Sequence, residues 1–144
     1  MKRTATITWK GSGKEGSGTM TTQSGFLDKA PFAYSSRFED ARGTNPEELI
    51  GAAHAGCFTM KLSFLLTEAG FVPELLETRS EVTLSKDGIT HAHLSVKGNV
   101  PGISKSKFEE LAKDAKENCI VSRALKARIS IDVEFEEKDA SVGA

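Results

Sequence analysis

Two cysteines, Cys57 and Cys119, are the residues with the greatest capacity for chemistry in this 144-residue sequence. A thiolate is a nucleophile, and two thiols together can give up two electrons by closing a disulfide. Two cysteines are too few for a disulfide-stapled secreted scaffold or for a four-cysteine zinc site. If both face one core, their pattern suits a peroxidatic thiol, which becomes a sulfenic acid, and a resolving thiol that forms the disulfide.

Each cysteine also has a purely structural interpretation. Free cysteines are among the most buried residue types, and a thiol in apolar surroundings is inert because burial raises its pKa. His54 lies three residues before Cys57 and shares its helix face. It could activate Cys57 as in a thiol hydrolase, or it could be a hydrogen-bonded core histidine, which is commoner. A third hypothesis is a non-catalytic dimeric domain that binds an apolar ligand, and the residue pattern leaves all three open.

The helix that must position Cys57 has the clearest boundaries in the chain. Asn45 is a favoured N-cap, Pro46 suits the first helical position and Glu48 completes a capping box, while Gly70 can end the helix. Its middle, Leu49 to Met60, is apolar or small nearly all the way round, which predicts a helix buried on every side. A chain of this size cannot bury such a helix alone, so we expect a second subunit to cover it. The apolar stretch is shorter than the roughly 20 residues of a membrane span.

The other elements follow from alternation and helical periodicity. Residues 3–9 and Thr19 to Gln23 are predicted as strands, and the ring-rich segment from Phe26 to Phe38 as a loop. Further predictions are strands near Thr78 to Leu84 and Ile89 to Val96, a helix from Ser104 to Asn118, a short turn or helix from Val121 to Leu125, and a strand from Ile129 to Phe135. The order β-β-α-β-β-α-β predicts a single α+β domain over residues 1–144, with a loose tail over 138–144.

Several function classes are disfavoured. Nineteen basic and twenty acidic side chains leave a net charge of −1, which gives no reason to expect a nucleic acid partner. The pair Gly13-Lys14 is not a phosphate loop, because Thr8 and Glu15 stand where that motif needs glycine and a hydroxyl. His91 and His93 share a strand face, but nothing supplies further ligands, so no metal is expected. Without a visible signal peptide, we expect a cytoplasmic protein.

The segment from Gly43 to Phe58 and the segment from Asn118 to Ser122, together with Arg37, resemble the OsmC/Ohr family. Trp9-Lys10-Gly11 and Ser24-Gly25 fit the OsmC branch, the osmotically inducible peroxidases, so the likeness covers essentially the whole chain. The long segment that ends in Cys57-Phe58 is its most specific part. At one position this chain departs from the family, which commonly has proline after the second cysteine, where Ile120 stands here.

The resemblance implies a thiol-dependent hydroperoxide reductase that prefers organic hydroperoxides and also accepts hydrogen peroxide. It assigns Cys57 as the peroxidatic thiol, Cys119 as the resolving thiol, and Arg37 and Glu47 as polar active-site residues. The implied fold is an intertwined α+β homodimer, with antiparallel sheets packed around two buried central helices and with active sites at the subunit interface. No metal or prosthetic group is implied, and an external dithiol such as a lipoyl group would be the reductant.

Helix geometry adds a prediction about the assembled site. Glu47 and Cys57 are ten residues apart, which is roughly 15 Å along a straight helix axis. We therefore expect Glu47, with Arg37 beside it, to reach Cys57 of the other subunit. An arginine there would supply the cation that a thiolate in an apolar site needs, and Glu47 would fix its orientation. The rings between Phe26 and Phe38 would wall the site and favour apolar peroxides.

Overall fold

A computed structural model describes residues 1–136 of the chain, so the predicted tail over 138–144 lies outside the described residues. The chain divides into two compact units, Met1–Leu49 and a second unit that starts at Ile50. The single-domain prediction stays a prediction. The elements are β1 (Ala5–Lys10), β2 (Ser17–Thr22), β3 (Ala30–Ala33), α1 (Tyr34–Phe38), α2 (Pro46–Glu68), β4 (Leu75–Ser85), β5 (Gly88–Asn99), α3 (Lys105–Asn118), α4 (Ile120–Ala124) and β6 (Arg128–Phe135).

The first unit is built on a three-stranded antiparallel sheet in the order β1-β2-β3. β3 and α1 occupy the segment that the sequence predicted as a loop, and that prediction is wrong. α1 has five residues, too few for a helical period to show. β3 has four residues and includes Pro31, which cannot donate to a ladder and suits an edge strand. Four residues that include a proline are too few to show the alternation that predicts a strand.

α2 begins and ends where the sequence predicted. The Asn45 side chain accepts a hydrogen bond from the backbone N–H of Glu48 at 2.8 Å, which is the expected cap. The Glu48 carboxylate bonds the Thr44 hydroxyl at 2.9 Å, so the reciprocal half of the predicted capping box is replaced by a neighbouring contact. At the other end Gly70 has a φ of 92°. Phe71 N–H bonds the Leu66 carbonyl at 2.9 Å in a Schellman motif.

Only one stripe of α2 is buried within the single chain, and burial on every side would require the second subunit that the sequence also predicts. Four side chains spaced four residues apart are fully buried: His54, Phe58, Leu62 and Leu66. On other faces Met60 and Phe64 remain 64% and 61% exposed. The sequence pattern therefore identified an apolar helix correctly, but the chain's own atoms cover only part of it.

By length and composition alone, α2 is apolar enough to cross a membrane, with a mean hydropathy of 1.4 over its most apolar window. The helix has 23 residues. It is therefore longer than the apolar stretch from Leu49 to Met60, whose length argued against a membrane span in the sequence. Core helices of soluble proteins meet the same criterion, and this helix carries the buried polar side chain of His54. Its hydropathy therefore indicates a need for apolar cover and does not by itself indicate a membrane.

The second unit contains a three-stranded sheet in the order β4-β5-β6. β4 and β5 form the predicted antiparallel hairpin, which turns at Gly88 with a φ of 100°. β5 and β6 are parallel, which corrects the expectation of purely antiparallel sheets. α3 and α4 lie between them in sequence and form the crossover that a parallel pair requires.

The core of the second unit joins α2, β5 and α3 and extends to Cys119. Leu94 and Val96 of β5 pack with Phe58 of α2 and with Phe108 of α3 in one buried cluster. The predicted stripe of α3 is confirmed: Phe108, Leu111, Ala112 and Ala115 are all buried. Cys119 continues that stripe and is fully buried. The packing of α3 therefore fixes the place of the second cysteine.

Candidate active site

Cys57 lies on α2 opposite the first turn of α4, and its side chain is half-buried. The first N–H groups of a helix have no partner within the helix. Two of them, from Val121 and Ile120, are directed at the Cys57 sulfur, and the Cys119 side chain is a third hydrogen-bond partner. The sulfur of Cys57 thus meets three donors from one short segment of chain.

These donors change the ionisation of Cys57. Burial by itself would raise the pKa of this thiol, but the N–H of Val121, the side chain of Cys119 and the N–H of Ile120 together bring the pKa below its ordinary value. A hydrogen bond to the charged form of a group favours that form. Cys57 is therefore the thiol that ionises first.

Cys119 has the opposite character. It is fully buried and forms the N-cap of α4. Burial raises the pKa of the Cys119 thiol most. The backbone N–H of Ser122 opposes this rise, Cys57 adds to it, and the Ser122 hydroxyl and the backbone of Val121 oppose it to a smaller extent, so that the pKa of Cys119 remains above its ordinary value. A helix that begins directly after Cys119 could favour a Cys119 thiolate, because the first N–H groups of a helix stabilise a nearby thiolate. The helix exists, but its first two N–H groups lie against Cys57 instead.

Both cysteines are free, and each side chain acts on the pKa of the other, so the two thiols lie near each other. The sequence predicted that both face one core. Their proximity is what a disulfide between them would require. The structure therefore contains a dithiol in which one sulfur is poised as thiolate and the other as thiol.

His54 does not activate Cys57. Its Nε2 atom lies 2.7 Å from the Ser122 hydroxyl, and both side chains are buried. Burial lowers the pKa of His54, so the ring is neutral near pH 7. Of the two roles that the sequence left open for His54, the structure has the hydrogen-bonded core histidine. No sequence argument gave Ser122 a role, although its place three residues after a cysteine, in the first turn of a helix, was a usable signal.

Arg37 and Glu47 form the second polar group that the sequence singled out. Arg37 donates from Nε and Nη2 to Glu47 Oε1 at 3.0 and 2.9 Å. The Glu47 side chain is nearly buried, whereas 39% of the Arg37 side chain is exposed. Two of the five guanidinium N–H donors are engaged by Glu47, which leaves three directed elsewhere. The expected carboxylate that grips an arginine is thus present.

Hydrogen bonds within the first unit hold this ion pair in place. The Ser36 hydroxyl donates to the Thr44 carbonyl at 2.9 Å, and the Asn45 amide donates to the Ser36 carbonyl at 3.1 Å. These bonds tie α1, which carries Arg37, to the start of α2, which carries Glu47. The Arg37 guanidinium also lies 5.0 Å from the centre of the Phe38 ring. Glu47 and the Phe38 ring therefore restrict the orientation of the Arg37 guanidinium.

His93, one of the two strand histidines, has hydrogen-bond partners on β6. Its Nδ1 atom lies 2.6 Å from the Ser130 hydroxyl oxygen, and its Nε2 atom lies 3.0 Å from Asp132 Oδ2. Within residues 1–136, no group of three or more His, Cys, Asp or Glu side chains has the geometry of a metal site.

Comparison with known proteins gives a consistent assignment. Residues 39–134 match the family model described as OsmC-like protein. The sequence is 47% identical over 131 residues to Peroxiredoxin OsmC of Escherichia coli, an alignment that covers 88% of this chain and 92% of that protein. It is 28% identical over 135 residues to the Organic hydroperoxide resistance protein OhrB of Bacillus subtilis, covering 92% of this chain and 96% of that protein.

Solved structures share the fold. An OsmC-like protein of unknown function from Vibrio cholerae superposes with a TM-score of 0.71 at 18% identity, covering 92% of this chain and 99% of that chain. The crystal structure of OhrB from Bacillus subtilis has a TM-score of 0.64 at 26% identity, covering 92% of this chain and 98% of that chain. The likeness to the Vibrio cholerae structure shows the α+β fold. The family model and the 47% identical relative show the family. The chain belongs to the OsmC-like family.

Proposed function

We propose that this protein is a thiol peroxidase that reduces organic hydroperoxides to alcohols and hydrogen peroxide to water. One observation carries the proposal: the Cys57 sulfur accepts hydrogen bonds from Cys119 and from two N–H groups of α4, so a reactive thiolate lies in contact with a second thiol. The relatives named Peroxiredoxin OsmC and Organic hydroperoxide resistance protein OhrB support the same chemistry.

In the first step Cys57 acts as the nucleophile. Its thiolate attacks one oxygen of the peroxide, so that an S–O bond forms while the O–O bond breaks. The departing alkoxide takes a proton and leaves as the alcohol. Cys57 gives up two electrons and becomes a sulfenic acid. Because the pKa of Cys57 is lowered, the thiolate is present at lower pH than it is for an ordinary cysteine.

In the second step Cys119 resolves the sulfenic acid. The Cys119 sulfur attacks the Cys57 sulfur, the S–S bond forms, and the S–O bond breaks with loss of water. The contact between the two side chains supports this step, since it needs no large movement. An external dithiol, of which a lipoyl group is our candidate, then reduces the disulfide by thiol exchange and restores both thiols. No prosthetic group is needed for any of these steps.

We propose that Arg37 binds the peroxide and that Glu47 orients Arg37. Guanidinium N–H donors that Glu47 does not engage can hold the peroxide and stabilise charge on the departing oxygen. The two hydrogen bonds from Arg37 to one oxygen of Glu47 support this division of labour, because they fix the orientation of the guanidinium. The exposed ring of Phe38, beside Arg37, supports a preference for apolar peroxides.

We further propose that the active protein is a homodimer, with Arg37 and Glu47 of one chain serving Cys57 of the other. The exposed side chains of Met60, Phe64, Val72 and Leu75 support a second copy as the cover for α2 and the start of β4. The continuity of α2 from Pro46 to Glu68 supports the crossed site, since ten residues of helix rise roughly 15 Å. Two free cysteines suit the reducing cytoplasm, where we expect the protein to act.

The proposed reaction is tested with the reduced protein, freed of reductant, and one equivalent of tert-butyl hydroperoxide. Peroxide loss and intact mass are measured for the wild type, Cys57→Ser and Cys119→Ser. We expect the wild type to consume the peroxide and lose two hydrogens. We expect Cys57→Ser to consume none, and Cys119→Ser to gain oxygen on Cys57, because no second thiol is present to expel it.

The same experiment separates the alternatives. A thiol hydrolase that uses Cys57 with His54 would need His54 and not Cys119. A non-catalytic binding domain would leave the peroxide unconsumed and both thiols unmodified, and that result would overturn the proposal. A Cys57→Ser variant as active as the wild type would overturn the assignment of the nucleophile.

A further inference from the structure

Ser122 and His54 form a buried polar chain that ends at the resolving cysteine. His54 and Cys119 are fully buried, and Ser122 is 8% exposed. His54 Nε2 lies 2.7 Å from Ser122 Oγ, and Ser122 stands three residues after the N-cap Cys119 in the first turn of α4, where its side chain acts to lower the pKa of Cys119. The order of contacts is therefore imidazole, hydroxyl and sulfur. The peroxidase steps described above do not use the first two groups.

The unpartnered ring nitrogen identifies where the imidazole hydrogen lies. Within residues 1–136, His54 Nδ1 is buried and has no hydrogen-bond partner. A neutral imidazole carries one hydrogen, either on Nδ1 or on Nε2. A buried N–H without an acceptor is rarer than a buried acceptor without a donor. The hydrogen is therefore on Nε2, and His54 donates it to Ser122 Oγ.

This assignment fixes the direction of the Ser122 hydroxyl. Its oxygen accepts from His54, so its single hydrogen must be donated to a different atom. The Cys119 sulfur is the partner available to it. A hydroxyl that donates to sulfur stabilises the thiolate, the form of a thiol that attacks a neighbouring sulfur.

We propose that Ser122 is a catalytic residue of the resolving step, which donates a hydrogen bond to the Cys119 sulfur as it attacks Cys57, and that His54 is the positioning residue that orients the Ser122 hydroxyl. The inference rests on the proposed peroxidase function and deepens it. Cys119 loses its proton, its sulfur bonds the Cys57 sulfur, and hydroxide leaves Cys57 and takes up a proton to give water. Ser122 keeps its own hydrogen throughout, and His54 remains neutral.

A dedicated donor is needed because the surroundings of Cys119 disfavour its ionisation. α2 presents Cys57 and, through Ser122, His54, while α3 contributes the apolar Ala115 to the same core. In the reduced protein the Cys57 partner also opposes a Cys119 thiolate. Once Cys57 is a sulfenic acid, it no longer carries the thiolate charge that opposes ionisation of Cys119. The Ser122 hydroxyl can then favour attack by the Cys119 sulfur.

The test measures the two steps separately. After the reduced protein is mixed with tert-butyl hydroperoxide, peroxide loss reports oxidation of Cys57, and rapid thiol trapping with intact-mass analysis reports disulfide formation. For Ser122→Ala we expect peroxide loss within about twofold of the wild type and disulfide formation about tenfold slower at pH 7, because a hydrogen bond to the attacking sulfur is lost. In Ser122→Ala the rate of disulfide formation should also continue to increase up to a higher pH than it does in the wild type.

Ser122→Thr is the matched control, because it keeps a hydroxyl at the same position. We expect it to form the disulfide within about threefold of the wild type, as a threonine can supply the same donor. Disulfide formation in Ser122→Ala as fast as in the wild type, with an unchanged pH profile, would overturn the inference. So would equal slowing in Ser122→Ala and Ser122→Thr, since that would show a packing role.

His54 variants test the orientation. His54→Leu should slow disulfide formation as Ser122→Ala does, whereas the amide of His54→Gln should preserve part of the rate by donating to Ser122. Adding His54→Leu to Ser122→Ala should produce no further slowing, and an additional loss would refute action through Ser122. If Ser122→Ala does not fold, the comparison of His54→Gln with His54→Leu carries the test.

The control reaction of the wild type distinguishes this inference from the proposed function. A wild type that consumes no peroxide or forms no disulfide would refute the peroxidase itself. A wild type that does both, beside a Ser122→Ala variant with normal kinetics, would refute only the role of Ser122.

Discussion

At the scale of single residues, the ionisation of Cys57 is governed by neutral donors. The sequence suggested that a cation would be needed, because a thiol in an apolar site is otherwise inert. The pKa of Cys57 is lowered by the N–H groups of Val121 and Ile120 and by Cys119, which outweigh the effect of burial. The residue after the second cysteine therefore contributes through its backbone, and at this position the family commonly has proline, which has no N–H.

Replacing Ile120 with proline isolates that N–H group. Proline suits the first position of a helix, and Cys119 has φ −63° and ψ 131°, which a residue before proline adopts readily. We expect Ile120→Pro to fold and to raise the pKa of Cys57, because one donor to the thiolate is lost. Peroxide reduction near pH 7 should slow accordingly, and site-resolved alkylation as a function of pH measures the pKa.

Ile120→Ala provides the control for that substitution. The Ile120 side chain is 77% exposed, so its removal leaves the backbone donor in place. Alkylation of Cys57 should then follow the wild-type pH dependence. A Cys57 pKa that is the same in Ile120→Pro as in the wild type, or an equal shift in both variants, would contradict the role of the backbone N–H.

Candidate side chains for the site are easier to predict from a sequence than their hydrogen-bond partners. Cys57, Cys119, Arg37 and Glu47 are proposed from residue type and family likeness, and the predicted contact between Arg37 and Glu47 is present. The backbone donors were not, because any residue except proline carries an N–H and the sequence does not show where it is directed. Ser122 was missed for a related reason: a hydroxyl acquires a role only from its neighbours.

At the scale of elements, the place of Cys119 depends on how α3 packs on β5. Gly98 makes that packing possible, because a Cβ atom there would overlap the ring of Phe108. The Phe108 ring is fully buried and lies 5.3 Å from the ring of Phe135, centre to centre. The close approach of the Phe108 side chain therefore requires a glycine at this position.

Gly98→Ala should destabilise the protein by about 1–3 kcal/mol through overpacking, measured as a lower urea midpoint. Gly13→Ala is the matched control, since a Cβ atom there meets nothing within 4 Å. In a Phe108→Leu background the penalty of Gly98→Ala should shrink, because the smaller side chain leaves space. Equal effects of Gly98→Ala in both backgrounds would contradict the proposed contact.

Element prediction succeeded where local signals were strong. The cap at Asn45 and the stop at Gly70 defined α2, and the stripe from Phe108 to Ala115 defined α3. β3 and α1 were missed because four or five residues contain too little periodicity. The parallel pairing of β5 with β6 was missed because pairing direction depends on where a crossover returns the chain.

At the scale of the whole molecule, α2 is more apolar than one chain requires. Met60 and Phe64 lie on its uncovered faces, and an open groove beside them is lined by Ala55, Gly56 and Leu75. The sequence predicted a helix buried on every side, which a single copy does not provide. Burial by a second copy depends on another molecule, so no pattern within the chain could show its geometry. We propose that the same association completes the active site.

Subunit mixing tests whether two chains build the site. Arg37→Leu and Cys57→Ser each disable one component, so each homodimer should have little or no peroxidase activity. When the two are unfolded and refolded together in equal amounts, about half of the dimers contain one chain of each kind. Each of these has one site with an intact Cys57 and an intact Arg37 from opposite chains. Activity should return to about a quarter of the wild-type value.

The reciprocal mixture is the control and uses the same assay. Wild type refolded with an equal amount of the double variant Arg37→Leu/Cys57→Ser should retain about a quarter of the wild-type activity if sites are shared, and about half if each chain has its own site.

We propose that a thiol pair from one chain and an arginine–glutamate pair from its partner form one peroxidase site, and hydroperoxide reduction by the refolded mixture of Arg37→Leu and Cys57→Ser decides whether they do. We predict recovery to about a quarter of the wild-type rate. A mixture no more active than its two components would contradict the claim.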